Sequence, residues 1–340
     1  MSITILAQSG SVVNIAADRP FFRSFPLIAE KHEENPLKNP DFWEKLRKRK
    51  IESTKIAQKL WLIHEKERSA RMKACNSVVD VGVCPCCGKP KIVNAHLCRD
   101  RLCPTCGYLL SVKRYNDMVL ALSTLDCDSF DWRFITLTVR NCAPDQLATT
   151  IDQMMKAWSK FSKRRYIQSI IKGSARSMEI TYNRHAGTFH PHVHVLVAFQ
   201  HGSALSALQV GQFWRESMDL DYTPIVDVEV PYSKSENVEP LSSAIVEAFK
   251  YAVKSKEVAD MPLSAFAALS AAVKGRNMVG FSGVIRKARK EVGLNEADEV
   301  AEDVSAAAPT CCGVPLTMVA AKWSFEKQQF ELIEKAVLKQ

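Results

Sequence analysis

Residues 189–199 read FHPHVHVLVAF and decide how the centre of this chain folds. Histidines alternate with other residues through the first half of the run, a pattern typical of a β-strand with one polar face. Residues 178–183 precede it with a second β-forming run, and the RHAGT between them has the length and the glycine of a hairpin loop. The sequence therefore predicts an antiparallel strand pair over residues 178–199.

The histidine strand predicts a metal site. His190, His192 and His194 share one face, but two positions along a strand span about 6.6 Å and four span about 13 Å. Neighbouring imidazoles can converge on one ion, whereas the outer pair cannot easily do so, so His192 and His194 are the predicted ligands. Folding the hairpin places Glu179 opposite residues 192–194 and makes it the predicted third ligand. Two imidazoles and a carboxylate suit Mg²⁺ or Mn²⁺ as a Lewis acid; a set of purely structural histidines is the alternative interpretation.

The hairpin sits within alternating strand and helix patterns. Strands are predicted at 134–139, 225–230 and 278–281, and helices at 41–73 (capped by Asp41), 109–125, 144–171, 203–219, 242–257, 262–274 and 316–338. This order predicts an α+β fold, a central antiparallel sheet with helices packed on one side. The predicted domains are an irregular segment and basic helix (1–79), a cysteine module (80–108), a central α+β domain (109–290), and an acidic linker with a C-terminal helix (291–340).

The composition favours a polyanionic partner. The 340 residues carry a net charge of +9 with a pI near 9.0, and basic side chains concentrate in residues 41–73 and 156–176. The N-terminal MSITILAQSGSVVN lacks the features of a secretory signal, and no run of about 18 apolar residues occurs. We therefore expect a cytoplasmic protein with no membrane segment.

Seven of the eleven cysteines crowd into residues 75–106. Two knuckles, CPCCG at 84–88 and CPTCG at 103–107, have the C-x2-C-x15-C-x2-C spacing of a zinc ribbon. The predicted zinc ligands are Cys84, Cys87, Cys103 and Cys106, with Cys86, His96 and Cys98 as alternative ligands. The spacing leaves open whether one zinc or two are bound, and whether the module contacts DNA or clips a small subdomain together.

Residues 247–254 predict a reactive helix face. Glu247, Tyr251 and Lys254 stand at i, i+4 and i+7. A phenol with a pKa of about 10 is a weak nucleophile, but a nearby cation and a metal-polarised phosphate would make its attack feasible. Glu247 could accept a proton from the phenol or from a water. An exposed ion pair beside a core tyrosine is the other interpretation.

Taken together, these motifs resemble one known group of proteins. FITLT at 134–138, FHPHVHVL at 189–196 and the Glu247–Tyr251–Lys254 set are similar to the rolling-circle plasmid replication initiators of the HUH endonuclease superfamily, in the branch with one catalytic tyrosine and an upstream glutamate. Residues 99–106 and 274–283 add to the resemblance, which covers about residues 80–290. It implies an HUH/RRM-like nuclease core preceded by a small zinc-ribbon-like module.

The resemblance also implies a nicking-joining reaction. Tyr251 would attack a scissile phosphate in a single-stranded or hairpin origin, keep the 5′-phosphate and free a 3′-OH. Glu247 would activate water or a second transfer, and Lys254 would orient the phosphate or the metal's water shell. The implied partners are origin DNA, a host helicase and a host DNA polymerase, and a homodimer stays open.

Four other protein classes share part of this set of motifs. Histidine-triad hydrolases carry a similar histidine strand but are small domains without zinc ribbons. In conjugative relaxases the tyrosine precedes the histidines, whereas Tyr251 follows them; a mobilisation nickase of the HUH type stays an alternative. HUH transposases usually carry two tyrosines on the helix, where this chain has Glu247. A zinc-ribbon DNA-binding regulator would leave the histidine strand a coincidence.

Overall fold

The computed structural model describes residues 39–232, 240–249, 255–294 and 316–333, together with the backbone of two strands at 2–6 and 12–16. The chain divides into two compact units. The first comprises Met1–Phe25 with Arg114–Asp298, and the second comprises Pro26–Lys113 with Glu299–Gln340.

The described strands, in chain order, are β1 (Ser2–Leu6), β2 (Val12–Ala16), β3 (Val78–Val83), β4 (Pro90–Ala95), β5 (Phe130–Thr138), β6 (Ile171–Asn183), β7 (Thr188–Gln200), β8 (Val226–Glu229), β9 (Val279–Ser282), β10 (Thr317–Ser324) and β11 (Gln329–Ile333). The described helices are α1 (Pro40–Leu62), α2 (Lys66–Ala74), α3 (Pro104–Leu122), α4 (Leu147–Ser162), α5 (Arg165–Ile170), α6 (Ala207–Met218), α7 (Pro240–Ala248), α8 (Ser255–Asp260), α9 (Leu263–Val273) and α10 (Gly283–Glu291).

The first unit contains a five-stranded antiparallel sheet in the order β8-β5-β7-β6-β9. The predicted hairpin is its centre: β6 and β7 pair along their length, and Gly187 turns the connection at φ +65°. Asn183 stabilises this turn, because its side-chain oxygen accepts from the backbone N–H of His185 and of Ala186, each at 3.1 Å. The predicted α+β class with a central antiparallel sheet is therefore confirmed.

Helices pack on both faces of this sheet, so the prediction of a one-sided layer is wrong. Ala175 of β6 shares a core cluster with Ile245 of α7, whereas its neighbour Arg176 contacts Met155 of α4 through a guanidinium-to-sulfur distance of 3.4 Å. Adjacent strand residues point to opposite faces. The apolar run at the end of β7 is the physical reason, because Val195 and Leu196 are both fully buried and each face needs a cover.

The second unit contains a four-stranded sheet in the order β11-β10-β3-β4. Residues 316–338 were predicted to form a helix, and this prediction is wrong for the described part, which forms the β10–β11 hairpin. This segment forms a strand because β10 pairs with β3, with Val319 opposite Val81. Trp323 is buried against Phe330 across the hairpin, with ring centroids 5.1 Å apart.

Three further predictions need correction. The predicted helix 41–73 is two helices, α1 and α2, separated near His64 at φ +65°, and its cap is Asn39 rather than Asp41. The Asn39 side chain accepts from the Phe42 N–H at 3.1 Å, which leaves Pro40 at the first helical position. The predicted helix 144–171 divides into α4 and α5, and residue 171 already begins β6. Strands β1 and β2 pair within a segment predicted to be irregular.

Among the described residues, no helix combines the length and the apolar character needed to cross a bilayer.

Candidate functional site

The sheet register brings together the three residues predicted to bind a divalent ion. Glu179 of β6 lies directly opposite His192 of β7, and His194 is two positions further along the same face. One carboxylate oxygen, Glu179 Oε2, is 3.3 Å from His192 Nε2 and 3.1 Å from His194 Nε2. The three ligand atoms lie within 4.8 Å of one another, and His190 is not part of this Glu-His triad.

The other ring nitrogens fix how the triad imidazoles are oriented. His192 Nδ1 lies 3.3 Å from the backbone oxygen of His190, and His194 Nδ1 lies 3.2 Å from Thr136 Oγ1 on β5. A carbonyl oxygen only accepts, so this contact requires a proton on Nδ1 of His192. In the neutral imidazole, Nε2 then presents a lone pair toward the Glu179 carboxylate. A cation between His192 Nε2 and the Glu179 carboxylate would attract both groups and remove this repulsion. Metal-binding histidines commonly donate their second N–H to a carbonyl in the same way.

The distances within the triad fit an octahedral ion. Metal–ligand bonds of about 2.1 Å at right angles separate adjacent ligand atoms by about 3 Å, close to the 3.1 Å and 3.3 Å observed. Burial would raise the pKa of Glu179, but its close contacts with His192 and His194 outweigh burial and hold this pKa well below its ordinary value. The carboxylate is therefore ionised and available as a hard oxygen ligand.

A pocket of about 200 Å³ opens beside the triad. Its lining includes His194 and Thr136 from the sheet, Glu247 from α7, and Tyr232 after β8. Phe134 forms another wall and stacks on His194 with ring centroids 5.4 Å apart. The predicted acid–base residue and a triad ligand thus share one cavity.

The end of α7 is tied to the strand that carries Glu179. The Ser177 hydroxyl donates to the backbone oxygen of Ala248, the last residue of α7. Ser177 and Glu179 lie two positions apart on one face of β6, about 6.6 Å along the strand. Tyr251 and Lys254, the predicted nucleophile and phosphate-orienting lysine, lie outside the described residues.

The second unit holds a cluster of four buried thiols. Cys75 Sγ is 3.6 Å from both Cys103 Sγ and Cys106 Sγ, and Cys98 Sγ is 3.7 Å from Cys106 Sγ. In a tetrahedral zinc site with Zn–S bonds of about 2.3 Å, the sulfurs are about 3.8 Å apart. This four-cysteine cluster therefore has the ligand number and the edge lengths of a structural zinc site. Hydrogen bonds from the other three thiols lower the pKa of Cys103, which favours a thiolate there.

Helix α1 supports the four-cysteine cluster with two polar side chains. Ser53 Oγ is 3.7 Å from Cys103 Sγ. The fully buried Lys50 ammonium donates to the Cys75 carbonyl and, at 2.8 Å, to the Lys73 carbonyl. Burial lowers the pKa of Lys50 to about 8 against the opposing charges of the thiols. A positive charge at this place would offset the negative charge of a metal bound by four thiolates.

The cluster differs from the set predicted by the knuckle spacing. Cys103 and Cys106 belong to it, together with Cys98, which was an alternative ligand, and Cys75, which was not predicted. Cys84 and Cys87 lie outside it in the turn between β3 and β4, as does Cys86, and His96 is exposed after β4.

The comparisons with known proteins agree on one family. The model of the Replication protein family (Rep_1) matches residues 89–331 of the chain. The chain belongs to this family. A "Protein rep" of Lentilactobacillus hilgardii is 28% identical over 297 residues, which cover 84% of this chain and 93% of that protein. A "Protein rep" of a Bacillus species is 28% identical over 255 residues, or 68% of this chain and 83% of that protein. No solved structure matches the chain.

The Replication protein match includes the Glu-His triad and Glu247, but only three of the four clustered cysteines. Cys75 precedes residue 89, where the match begins. Little in the sequence pointed to Cys75, because it stands nine residues before the first knuckle and outside any C-x2-C pair. Thr136 was also missed as a partner of His194, although it occupies the FITLT segment that carries part of the resemblance.

Proposed function

We propose that this replication protein initiates rolling-circle plasmid replication by nicking and rejoining DNA at the double-strand origin. The observation that carries the proposal is the convergence of Glu179, His192 and His194 on one point beside the pocket that Glu247 lines. Family membership supports a role in replication, and the triad supports phosphodiester chemistry as the means.

Tyr251 is the proposed nucleophile. Its oxygen would form a bond to the scissile phosphorus while the bond to the 3′ oxygen breaks, and the 3′ oxygen would take up a proton and leave as a 3′-OH. Tyr251 follows Phe249, the last described residue of its segment, by two positions. The hydrogen bond from Ser177 to Ala248 holds the end of α7 on the strand that carries Glu179, which supports this assignment.

The remaining residues have distinct proposed roles. Glu179, His192 and His194 would hold Mg²⁺ or Mn²⁺, which when bound polarises the phosphate as a Lewis acid. Glu247 would accept the proton of the water that cleaves the tyrosyl phosphate. Lys254 would orient the phosphate.

The partners follow from the reaction. The DNA at the nick would be single-stranded or an extruded hairpin, as the resemblance to rolling-circle initiators implies. A host polymerase would extend the freed 3′-OH, and a host helicase would unwind the template ahead of it. The four-cysteine cluster would bind one zinc ion and hold the second unit together.

The deciding experiment is a search for the covalent adduct. Purified protein is incubated with Mn²⁺ and single-stranded oligonucleotides tiling the origin of its own replicon, and the products are analysed by mass spectrometry. The wild type should yield an adduct at Tyr251, and Tyr251→Phe should yield none. Tyr232→Phe is the matched control, because Tyr232 is the phenol that lines the pocket, and it should keep the adduct.

Two outcomes would contradict the proposal. An adduct that persists in Tyr251→Phe would remove Tyr251 as the nucleophile, and cleavage in the presence of EDTA would remove the metal. Glu247→Gln tests the second half-reaction: it should still nick but release DNA slowly, and normal hydrolytic release would exclude Glu247 from that step.

A further inference from the structure

A second pocket of the first unit, about 400 Å³ in volume, lies on the opposite face of the sheet from the Glu-His triad. Ser174 of β6 lines it, and an odd spacing of five positions separates Ser174 from Glu179, so their side chains point to opposite faces. Five positions span about 16 Å along a strand. We call this cavity the basic pocket; its lining includes Trp158, Lys163, Lys172, Ser174 and Ser282.

The basic pocket has two positive charges in its wall, from Lys163 and Lys172, and none of its described lining residues is acidic. A β-bulge presents Lys172 there. Ile171 and Gly173 pair with consecutive residues of β7, so Lys172 between them is the extra residue, and bulges of this kind redirect a side chain. Its ammonium donates to the Ser169 carbonyl at 3.0 Å, which occupies one of its three N–H donors and holds it at the end of α5.

Two serine hydroxyls in the basic pocket contact each other. Ser174 Oγ and Ser282 Oγ are 2.7 Å apart, and Ser174 is 3% exposed. The pair has two O–H donors, and their mutual hydrogen bond uses one of them. The pocket therefore combines two ammonium groups with hydroxyl groups, which are the side chains by which proteins hold the phosphate oxygens of DNA.

Positive charge continues from the basic pocket along α10. Gly283, the first residue of α10, lines the pocket, and Lys287 and Lys290 follow at i+4 and i+7 on the same helix face. Both lysines are exposed. Because the Cα–Cβ bonds of a helix tilt toward its N-terminus, these side chains lean toward the pocket. A row of charges that leads out of a pocket fits a chain of repeating phosphates better than it fits a single small anion.

We propose that the basic pocket binds a backbone phosphate of the duplex that flanks the nick, with the lysines of α10 on neighbouring phosphates. The phosphate site itself rests on the pocket; that the duplex belongs to an origin rests on the proposed function. At about 3.4 Å per base pair, 16 Å along the strand corresponds to about five base pairs between this phosphate and the scissile one. The contact would hold the DNA in place without reading its sequence.

The test measures how duplex binding depends on salt, in buffer without divalent ions so that no strand is cut. Fluorescence anisotropy with a duplex from the origin of its own replicon compares the wild type with the Lys163→Gln, Lys172→Gln variant. Each lost phosphate contact lowers the slope of log affinity against log salt by about 0.9. The variant should therefore bind about eightfold more weakly than the wild type at about 0.1 M salt and equally at about 1 M. An unchanged slope would overturn the proposal.

Two control variants separate the pocket from net charge. Lys163→Arg, Lys172→Arg keeps both charges and should keep the slope. Lys322→Gln, Lys327→Gln removes the same number of charges from two exposed lysines of the second unit, and it should also keep the slope. A loss in this second control equal to that of the pocket variant would reduce the effect to net charge and overturn the assignment.

A free phosphate ion would meet the same groups, and calorimetry with inorganic phosphate distinguishes this source. Phosphate binding that Lys163→Gln, Lys172→Gln abolishes, together with unchanged duplex affinity, would assign the pocket to a small anion and overturn the DNA assignment. The same variant should still form the tyrosyl adduct on a short single-stranded oligonucleotide that spans only the nick. Failure of the nicking proposal would therefore appear as a missing adduct in the wild type, and failure of this one as unchanged duplex binding in the variant.

Discussion

Replacing Thr136 by valine should weaken divalent-ion binding about tenfold without unfolding the protein. The Thr136 hydroxyl lies 3.2 Å from His194 Nδ1 and is positioned to fix the ring so that Nε2 faces Glu179. Valine has nearly the same shape as threonine, so the half-buried site keeps its packing and loses only the hydrogen bond. Outer partners of metal ligands typically contribute 10- to 100-fold in affinity, and a single neutral hydrogen bond contributes about 1 kcal/mol. We therefore expect the lower end of that range, about 1.4 kcal/mol.

Titration calorimetry with Mn²⁺ measures this change directly, and Thr138→Val is the matched control. Thr138 occupies the same face of β5 two positions along, but its hydroxyl donates to the Ile225 carbonyl at 2.6 Å rather than to a histidine. Its replacement should leave the Mn²⁺ affinity within about twofold of the wild type. Equal affinities for wild type and Thr136→Val would refute the role of Thr136 in orienting His194, as would an equal loss in both variants.

Three further substitutions test other parts of the first unit. Gly283→Ala should lower the free energy of unfolding by more than about 2 kcal/mol in urea denaturation. Gly283 has φ +56°, and an added Cβ would overlap a backbone carbonyl of β6. Gly275→Ala is the control: Gly275 has φ +70° but faces open space, so its replacement should lower the free energy of unfolding by only about 1 kcal/mol. Ser177→Ala should slow nicking about fivefold while Mn²⁺ affinity stays unchanged, since it releases only the end of α7; a loss of Mn²⁺ affinity would contradict this. Asp152→Asn should cost less than about 1 kcal/mol of stability at pH 6, and this cost should shrink as pH falls. The hydrogen bonds from Arg276 lower the pKa of Asp152, so its contribution is present above the unfolded pKa of about 3.9 and is lost as pH falls through the lowered folded pKa. A cost that is the same at pH 6 and in acid would exclude this ion pair as its source.

The central hairpin and its triad could be predicted because both depend on local rules. Loop length sets the register of a hairpin, and strand alternation then decides which side chains meet. Counting outward from a fold at about residues 185–187 places Glu179 opposite residues 192–194, and the structure pairs it with His192. Helix boundaries were less accurate, because His64 breaks a pattern that is otherwise continuous from residue 41.

The second unit could not be predicted in the same way because its pairings are distant in sequence. Residues 317–324 contain alanines and a lysine that suit a helix, and they form a strand only because β3, more than 200 residues earlier, offers an unpaired edge. The membership of the four-cysteine cluster could not be predicted for the same reason. Knuckle spacing indicates candidate metal ligands, but which cysteines come together depends on the tertiary fold. Cys75 follows the last residue of α2, and its sulfur accepts from the Cys98 backbone N–H.

The burial of the triad in its sheet indicates that these three residues serve the function of the protein rather than its stability. Glu179 and His194 are each 8% exposed, in a strand pair whose other inward residues are largely apolar. Burying an ionised carboxylate costs several kcal/mol unless its partners compensate. The two imidazoles offset this desolvation cost fully only if both Nε2 atoms carry a proton or share a cation with Glu179. A neutral imidazole has a single N–H, and the contact of His192 Nδ1 with the His190 carbonyl already uses it. Apolar side chains at these positions would be buried without this desolvation cost. A cation at the point on which the three side chains converge would supply this compensation, and it would tie the local stability of the sheet to the ion that the proposed reaction uses.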